Sequence, residues 1–420
     1  MRKCNLSIVI VIIALVGGGL GFMNFLTDSW ILILLSNPNA APTAVSGHST
    51  VLNPVNNTLV IFGGANKTAA NNNVALYDLI NDGWISKNTS KGAAPTPRYD
   101  HSTIVTQTNL MYVFGGRDTK GNVFNDLYKY DMVKDSWSQV TIGAGKLVPA
   151  ARYGHSGILY SFTNEFVYWG GRNVNGTVLQ EIVIFNFLTE EWRILPFSAP
   201  NAVSHHSAVL TTANQMVVFG GVTATNTFTA DTNFYDLASN TWLNITLNTS
   251  SIAVSGRSGH AAIVTPINEM LVFGGRTSNT SASSLTLKYN LLYNTWEIIT
   301  PTGDGPSARW GITCTSTLFN TMMVFGGQSS DSSYFNDIYK YNIITSVLRS
   351  SSDGVVLVVL LTIVCSMIIG LCFALDIMAE KHEDERLERI EKENAGKDGA
   401  ALKKLKGKQQ KERQPLFETF

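Results

Sequence analysis

The sequence predicts an all-β domain made of six tandem units of four short strands, and three periodic signals carry that expectation. A hydrophobic run ends in Gly-Gly six times: "LVIFGG" at Gly64, "MYVFGG" at Gly116, "FVYWGG" at Gly171, "MVVFGG" at Gly221, "MLVFGG" at Gly275 and "MMVFGG" at Gly327. An aromatic follows each pair by about fourteen residues (Tyr77, Tyr130, Phe185, Tyr235, Tyr289, Tyr341), and seven residues later a tryptophan follows in five units (Trp84, Trp137, Trp192, Trp242, Trp296). A histidine stands about fifteen residues before the glycines in five units (His48, His101, His155, His206, His260), with Ile312 in the sixth.

Within each unit the first strand starts near the histidine, as in "GHSTVL". The second ends in Gly-Gly, the third ends at the aromatic, and the fourth carries the tryptophan. Asp, Asn, Gly and Ser clusters separate them and no helical period is present. "YDLINDGW" and "YDLASNTW" place polar residues where a hairpin must turn. Paired glycines suit a strand end where backbones approach closely. A lone four-stranded sheet exposes both faces, and packing the units side by side buries them.

A period near fifty with Gly-Gly, Tyr and Trp at these offsets resembles the kelch repeat, and the resemblance spans about residues 24 to 341. It implies a six-bladed β-propeller, one blade per unit around a central channel. The sixth unit has Leu348 where a tryptophan is due. At the other end of the chain, "MNFLTDSW" (Met23 to Trp30) matches the third-to-fourth hairpin of "FNFLTEEW" (Phe185 to Trp192). The favoured expectation is that residues 30–35 supply the outer strand of the sixth blade, so that the propeller occupies 22–342. The alternative takes that strand from "ITSVLRS".

The flanks read differently. Residues 1–21 have a basic start, an apolar stretch and small residues, the layout of a secretory signal peptide or an anchor. After a linker at 343–353, residues 354–375 run 22 positions without a charge, long enough for a transmembrane helix. Lys381, Arg386, Arg389 and Lys392 then place the charged tail, 376–420, in the cytoplasm. The expectation is a single-pass type I membrane protein of the cell surface or secretory pathway. With 31 basic and 31 acidic residues the chain gives no electrostatic case for nucleic acid. Of four cysteines, Cys314 alone falls in the repeat region, so no internal disulfide staples it.

Two arginine series recur at the end where the second-to-third and fourth-to-first loops meet. Arg117, Arg172 and Arg276 follow Gly-Gly directly, and Arg98, Arg152, Arg257 and Arg309 stand three residues before the histidine position. The kelch resemblance implies a cationic ligand-binding rim at both kinds of position, flanked by Tyr99, Tyr153, Trp310 and Phe124, for an acidic protein or glycan ligand. The competing reading is structural, with arginines stacked on aromatics and bonding loop carbonyls. The histidine series reads as one structural residue per blade rather than a metal site, and the extra His205 reads as loop. Galactose oxidase shares the fold, but its Tyr, His and Cys set has no counterpart here. No catalytic residue, metal ligand or cofactor is therefore assigned, and oxidase activity stays as an alternative. Glycosylation sequons fall at Asn56, Asn66, Asn88, Asn175, Asn244, Asn248 and Asn279. The tail is a place for a cytoplasmic partner, which makes a lumenal trafficking adaptor a further alternative.

Overall fold

The structure, a computed structural model, describes residues 28–34, 40–87, 90–195, 200–243, 245–248 and 251–343. All fall within one compact unit, Met23–Ser346. The expected leader (1–21), the linker beyond Ile343, the apolar run 354–375 and the tail lie outside the described residues.

The described chain is a six-bladed β-propeller with no α-helix among those residues. Blade 1 comprises Ser49–Asn53, Thr58–Phe62, Val74–Asp78 and Gly83–Ile85. Blade 2 comprises Ser102–Val105, Leu110–Phe114, Leu127–Asp131 and Ser136–Gln139. Blade 3 is Ser156–Tyr160, Glu165–Trp169, Ile182–Asn186 and Glu191–Leu195; blade 4 is Ser207–Leu210, Gln215–Phe219, Thr232–Asp236 and Thr241–Leu243. Blade 5 is Ala261–Val264, Glu269–Phe273, Thr286–Asn290 and Thr295–Ile299. Blade 6 takes Thr313–Ser316, Thr321–Phe325 and Ile338–Asn342 from the end of the domain and Ser29–Leu32 from its start. Each blade is an antiparallel meander, and the six first strands neighbour one another in a closed cycle around the axis.

The closing strand pairs Trp30 with Tyr341 and Leu32 with Tyr339. It is shorter than the 30–35 read from the sequence because its partner offers few positions. The third strand of blade 6 runs only from Ile338 to Asn342, and the last bond of the pair is Ile33 N–H to the Ile338 carbonyl, 3.1 Å. The outer edges of blades 2 and 6 are covered. Lys91–Gly92 runs parallel to Ser136–Trp137, and the Trp30 N–H donates to the Thr302 carbonyl at 2.9 Å, so these strand edges are closed to pairing with another chain.

The repeat residues are the contacts between blades. Each tryptophan of a fourth strand packs on the aromatic just before Gly-Gly in the preceding blade. The pairs are Trp137 on Phe62, Trp192 on Phe114, Trp242 on Trp169, Trp296 on Phe219, Trp30 on Phe273 and Trp84 on Phe325, with ring centroids 4.4 to 5.3 Å apart. The glycines admit the next blade. Gly63 has φ +67°, and a Cβ there would lie 2.8 Å from the Arg98 carbonyl oxygen. The Gly64 N–H donates to that carbonyl at 2.9 Å, and the same bond recurs around the ring to Gly327 N–H and the Val45 carbonyl, 2.9 Å.

The histidines complete the contact. Nε2 of His101, His155, His206 and His260 bonds the hydroxyl of Ser49, Ser102, Ser156 and Ser207, each in the preceding blade, at 2.6 to 3.1 Å. Burial pushes the His101 and His206 pKa values down to about 3, so these imidazoles are neutral packing groups. Between blades 6 and 1, Thr313 stands at the serine position and bonds Thr50 instead of His48, whereas between blades 5 and 6 both partners change together. Ile312 replaces the histidine of blade 6, Ala261 replaces the serine of blade 5, and the two share one apolar cluster.

Candidate binding site on the loop face

The residue before each histidine position builds the centre of the loop face. Gly47, Asp100, Gly154, His205, Gly259 and Gly311 all adopt positive φ between 56° and 65°. Each backbone N–H donates to the carbonyl of its counterpart in the preceding blade: Asp100 to Gly47, Gly154 to Asp100, His205 to Gly154, Gly259 to His205, Gly311 to Gly259, and Gly47 back to Gly311. The six bonds, 2.6 to 2.9 Å long, form a closed ring around the axis.

Four members of this ring are glycines, and the two with side chains face each other. His205 Nε2 lies 3.3 Å from Asp100 Oδ2. The glycine between them makes room, since a Cβ on Gly154 would lie 2.8 Å from the His205 ring. Arg117 adds a second partner, with Nε 3.0 Å and an Nη 2.8 Å from the same carboxylate oxygen. Burial works against the Asp100 charge, but His205 and Arg117 hold its carboxyl well below the usual carboxylate range. His205, read from the sequence as loop, is therefore part of the centre. The signal that marks it is the break in the repeat: Gly precedes the histidine position in four blades, and Asp or His precedes it in the other two.

Because the folded Asp100 pKa lies below its ordinary 3.8, its contribution to stability is complete above that value and is lost as pH falls below it. Asp100→Asn is expected to lose roughly 1.5–3 kcal/mol at pH 7, the scale of hydrogen bonds to a charged group. It should also flatten the fall in stability below about pH 4. Urea unfolding at a series of pH values checks both, and parallel curves for the two proteins would remove Asp100 from the acid response.

The structure separates the two arginine series. Arg98, Arg152, Arg257 and Arg309 are fully buried and point into the fold instead of the rim. Arg98 forms two bonds to Asp126, 2.5 and 2.9 Å, and donates to the Gly115 and Thr96 carbonyls while lying 4.4 Å from the Phe124 ring. Arg309 repeats this with Asp337, the Gly326 and Ser307 carbonyls and Phe335. Arg152 pairs with Glu181. Arg257 bonds the Gly274 and Ser255 carbonyls, and burial draws its pKa down to about 10. For these four the structural reading holds, and Phe124 belongs with them. The sequence signal is a carboxylate 28 or 29 residues downstream of three of the arginines.

Arg117, Arg172 and Arg276 instead converge. All three line one pocket of about 390 Å³ with Tyr153, His205, Asn226 and Phe228. Arg117 is held between Tyr99 and Tyr153, 4.6 and 4.1 Å from the ring centroids. Arg172 donates to the Ser204 hydroxyl, to the Gly176 and Thr223 carbonyls and to Asn226. Arg276 lies over Trp310 at 4.6 Å and Phe228 at 5.5 Å, and it borders a second pocket of about 230 Å³ beneath Trp310. Among the described residues, Arg172 and Arg276 form no ion pair with a carboxylate, and the Arg276 Nε is without a hydrogen-bond partner. The pocket thus carries positive charge and flat aromatic walls, with the Arg276 guanidinium the least engaged of the three. Of the sequons, Asn56, Asn175, Asn248 and Asn279 are exposed and Asn66 is partly so; Asn279 lines both pockets, and Asn88 and Asn244 lie outside the described residues.

The described meander and its interblade contacts define a kelch propeller, and comparison with known families agrees. The KLHDC2/KLHL20/DRC7 Kelch-repeats domain matches three overlapping stretches, residues 19–161, 144–316 and 231–353. The chain belongs to this kelch-repeat family, whose propellers are typically protein-interaction domains. Among curated relatives it is 28% identical over 307 residues to acyl-CoA-binding domain-containing protein 4 of Arabidopsis thaliana, covering 69% of this chain and 44% of that one. It is 28% identical to the putative protein tag-53 of Caenorhabditis elegans (63% of this chain, 20% of that one) and 26% identical to kelch domain-containing protein 10 of Rattus norvegicus (45% and 46%). In each case the matched stretch is less than half of the relative's length.

Proposed function

We propose that this chain is a type I membrane protein whose propeller captures an acidic segment of a partner protein in the pocket of Arg117, Arg172 and Arg276. The observation that carries the reading is the convergence of three guanidinium groups from blades 2, 3 and 5 on one pocket with a single carboxylate, Asp100, beside them. Arg276 supplies guanidinium donors for a carboxylate, Arg172, whose Nε and both Nη atoms bond the loops, supplies positive charge, and Tyr153, Phe228 and Trp310 supply flat contact area beside them. The surrounding loops, "TATNT" at 223–227 and "TSNTS" at 277–281, add hydroxyl and amide groups for the backbone of an extended ligand.

The test is a peptide array probed with the full chain in detergent, in which each Asp/Glu-rich sequence stands beside its Asn/Gln counterpart. Acidic members should be selected, and binding should weaken with added salt. Arg276→Ala should reduce affinity about tenfold, the worth of one charge-assisted bond, while the melting temperature stays nearly constant. Equal binding of acidic and amide peptides would sink the proposal.

A further inference from the structure

The face opposite the arginines, where the first-to-second and third-to-fourth turns emerge, has a different character. Ile80, Val133, Leu188 and Leu292 occupy the third-to-fourth turns of four blades, and Phe162 and Phe319 occupy first-to-second turns of two more positions around the same end. Their side chains are 65 to 84% exposed. The turns themselves do not require them. In blade 1 the turn is made by Asp78, whose carboxylate accepts the Ile80 and Asn81 N–H groups, while Leu79 packs inward and Ile80 is left facing out. The same division holds for Phe187 and Leu188 in blade 3 and for Leu291 and Leu292 in blade 5. The second-to-third loops of the arginine face are more polar: three read "DTKGN", "TATNT" and "SSDSS", and Val174 is the exposed apolar tip of a fourth. Large apolar side chains at repeated exposed tips mark a contact surface.

The chain enters and leaves the propeller at this same end. Ser29 pairs with Asn342, and the Ile343 N–H donates at 3.2 Å to the carbonyl of Asn320 in a first-to-second turn. Ten residues, 344–353, separate Ile343 from the uncharged run that begins at Gly354. Even fully extended, ten residues reach roughly 33–36 Å, which bounds the distance between Ile343 and the start of the run. The charges on this face limit the lipid. Asp78, Asp131 and Asp236 accept turn N–H groups, Lys134 pairs with Asp131 at 3.2 Å, and no lysine cluster is present among the described turns. Such a surface has no attraction for anionic headgroups.

We infer that the turn face rests on a zwitterionic lipid bilayer, with the apolar tips seated in the interface and the arginine pocket held pointing away from it. The inference depends on the reading that residues 354–375 span the membrane. Aromatic and aliphatic tips suit that depth, since the interface accepts an apolar body beside a wet backbone.

The experiment uses the full chain with Cys4, Cys314, Cys365 and Cys372 replaced, reconstituted in phosphatidylcholine vesicles, and carrying one NBD-labelled cysteine. Phe162→Cys and Leu292→Cys report on the turn face, and Thr225→Cys reports on the arginine face. The first two probes should emit to the blue, be quenched by nitroxides on the lipid acyl chains, and show iodide quenching several-fold weaker than the probe at 225. Equal iodide access at all three sites overturns the inference. So does shielding that grows with the protein-to-lipid ratio, which would mean a second copy, or shielding that needs anionic lipid. Alkaline carbonate extraction of the same vesicles distinguishes the failures: release of the chain removes the membrane-spanning reading and the inference with it, whereas a retained chain with wet tips removes the inference alone.

Discussion

Trp30→Ala is expected to destabilise the propeller by about 3–5 kcal/mol, as loss of a large buried aromatic does, which is a large share of a typical domain's 5–15 kcal/mol. Trp30 is 5% exposed, packs edge-on against Phe273 and Tyr341 at 4.8 and 4.9 Å, and donates from Nε1 to the Thr286 hydroxyl at 3.2 Å. It is the main anchor of a four-residue strand, so its loss also uncovers the edge of Ile338–Asn342. Trp242, at the same position of blade 4 but only partly buried, should cost less when truncated. Urea unfolding gives the comparison. A cysteine pair at Ile31 and Lys340, directly opposed in the register, should crosslink on oxidation. Wild-type stability of Trp30→Ala together with no crosslink would show that the N-terminal strand does not close the ring.

Arg98→Met should be comparably severe, about 3–5 kcal/mol, because it breaks a buried ion pair. The guanidinium is wholly enclosed, and its removal strands the Gly115 and Thr96 carbonyls as well as Asp126. Arg257 has Leu285 where Arg98 has Asp126, so Arg257→Met should cost less. Arg276→Ala, on the open rim, should change stability by less than about 1 kcal/mol. Similar melting temperatures for Arg98→Met and Arg276→Ala would contradict the separation of the two series.

The parts of the fold legible in the sequence are those that every blade must repeat. Gly-Gly, His and Trp recur because each meets the neighbouring blade at the same place, and the tryptophans that end "MNFLTDSW" and "FNFLTEEW" stand at equivalent points of their blades, opposite Tyr341 and Phe185. Residues 23–27 lie outside the described residues, and Tyr341, not Met23, takes the place of Phe185. The site was harder to read. Two arginine series share a residue type and a period, and only the packing of Asp126, Phe124 and their counterparts separates the buried series from the exposed one. Asp100 and His205 stand 105 residues apart in the chain and meet only because the ring sets blade 4 two places from blade 2, with Gly154 between them. Their signal was a departure from the period, whereas the repeat had been found by agreement with it.

The shared sixth blade also sets how the molecule bears tension. A ligand held at the arginine face and a chain leaving at Ile343 would pull along the third strand of blade 6, from its Asp337 end toward Asn342. That strand is hydrogen-bonded on both sides, to Thr321–Phe325 and to Ser29–Leu32. A load in this direction shears both ladders at once instead of peeling one. The strand taken from the start of the chain therefore acts as a mechanical splint on the strand through which a pulled ligand would transmit its load.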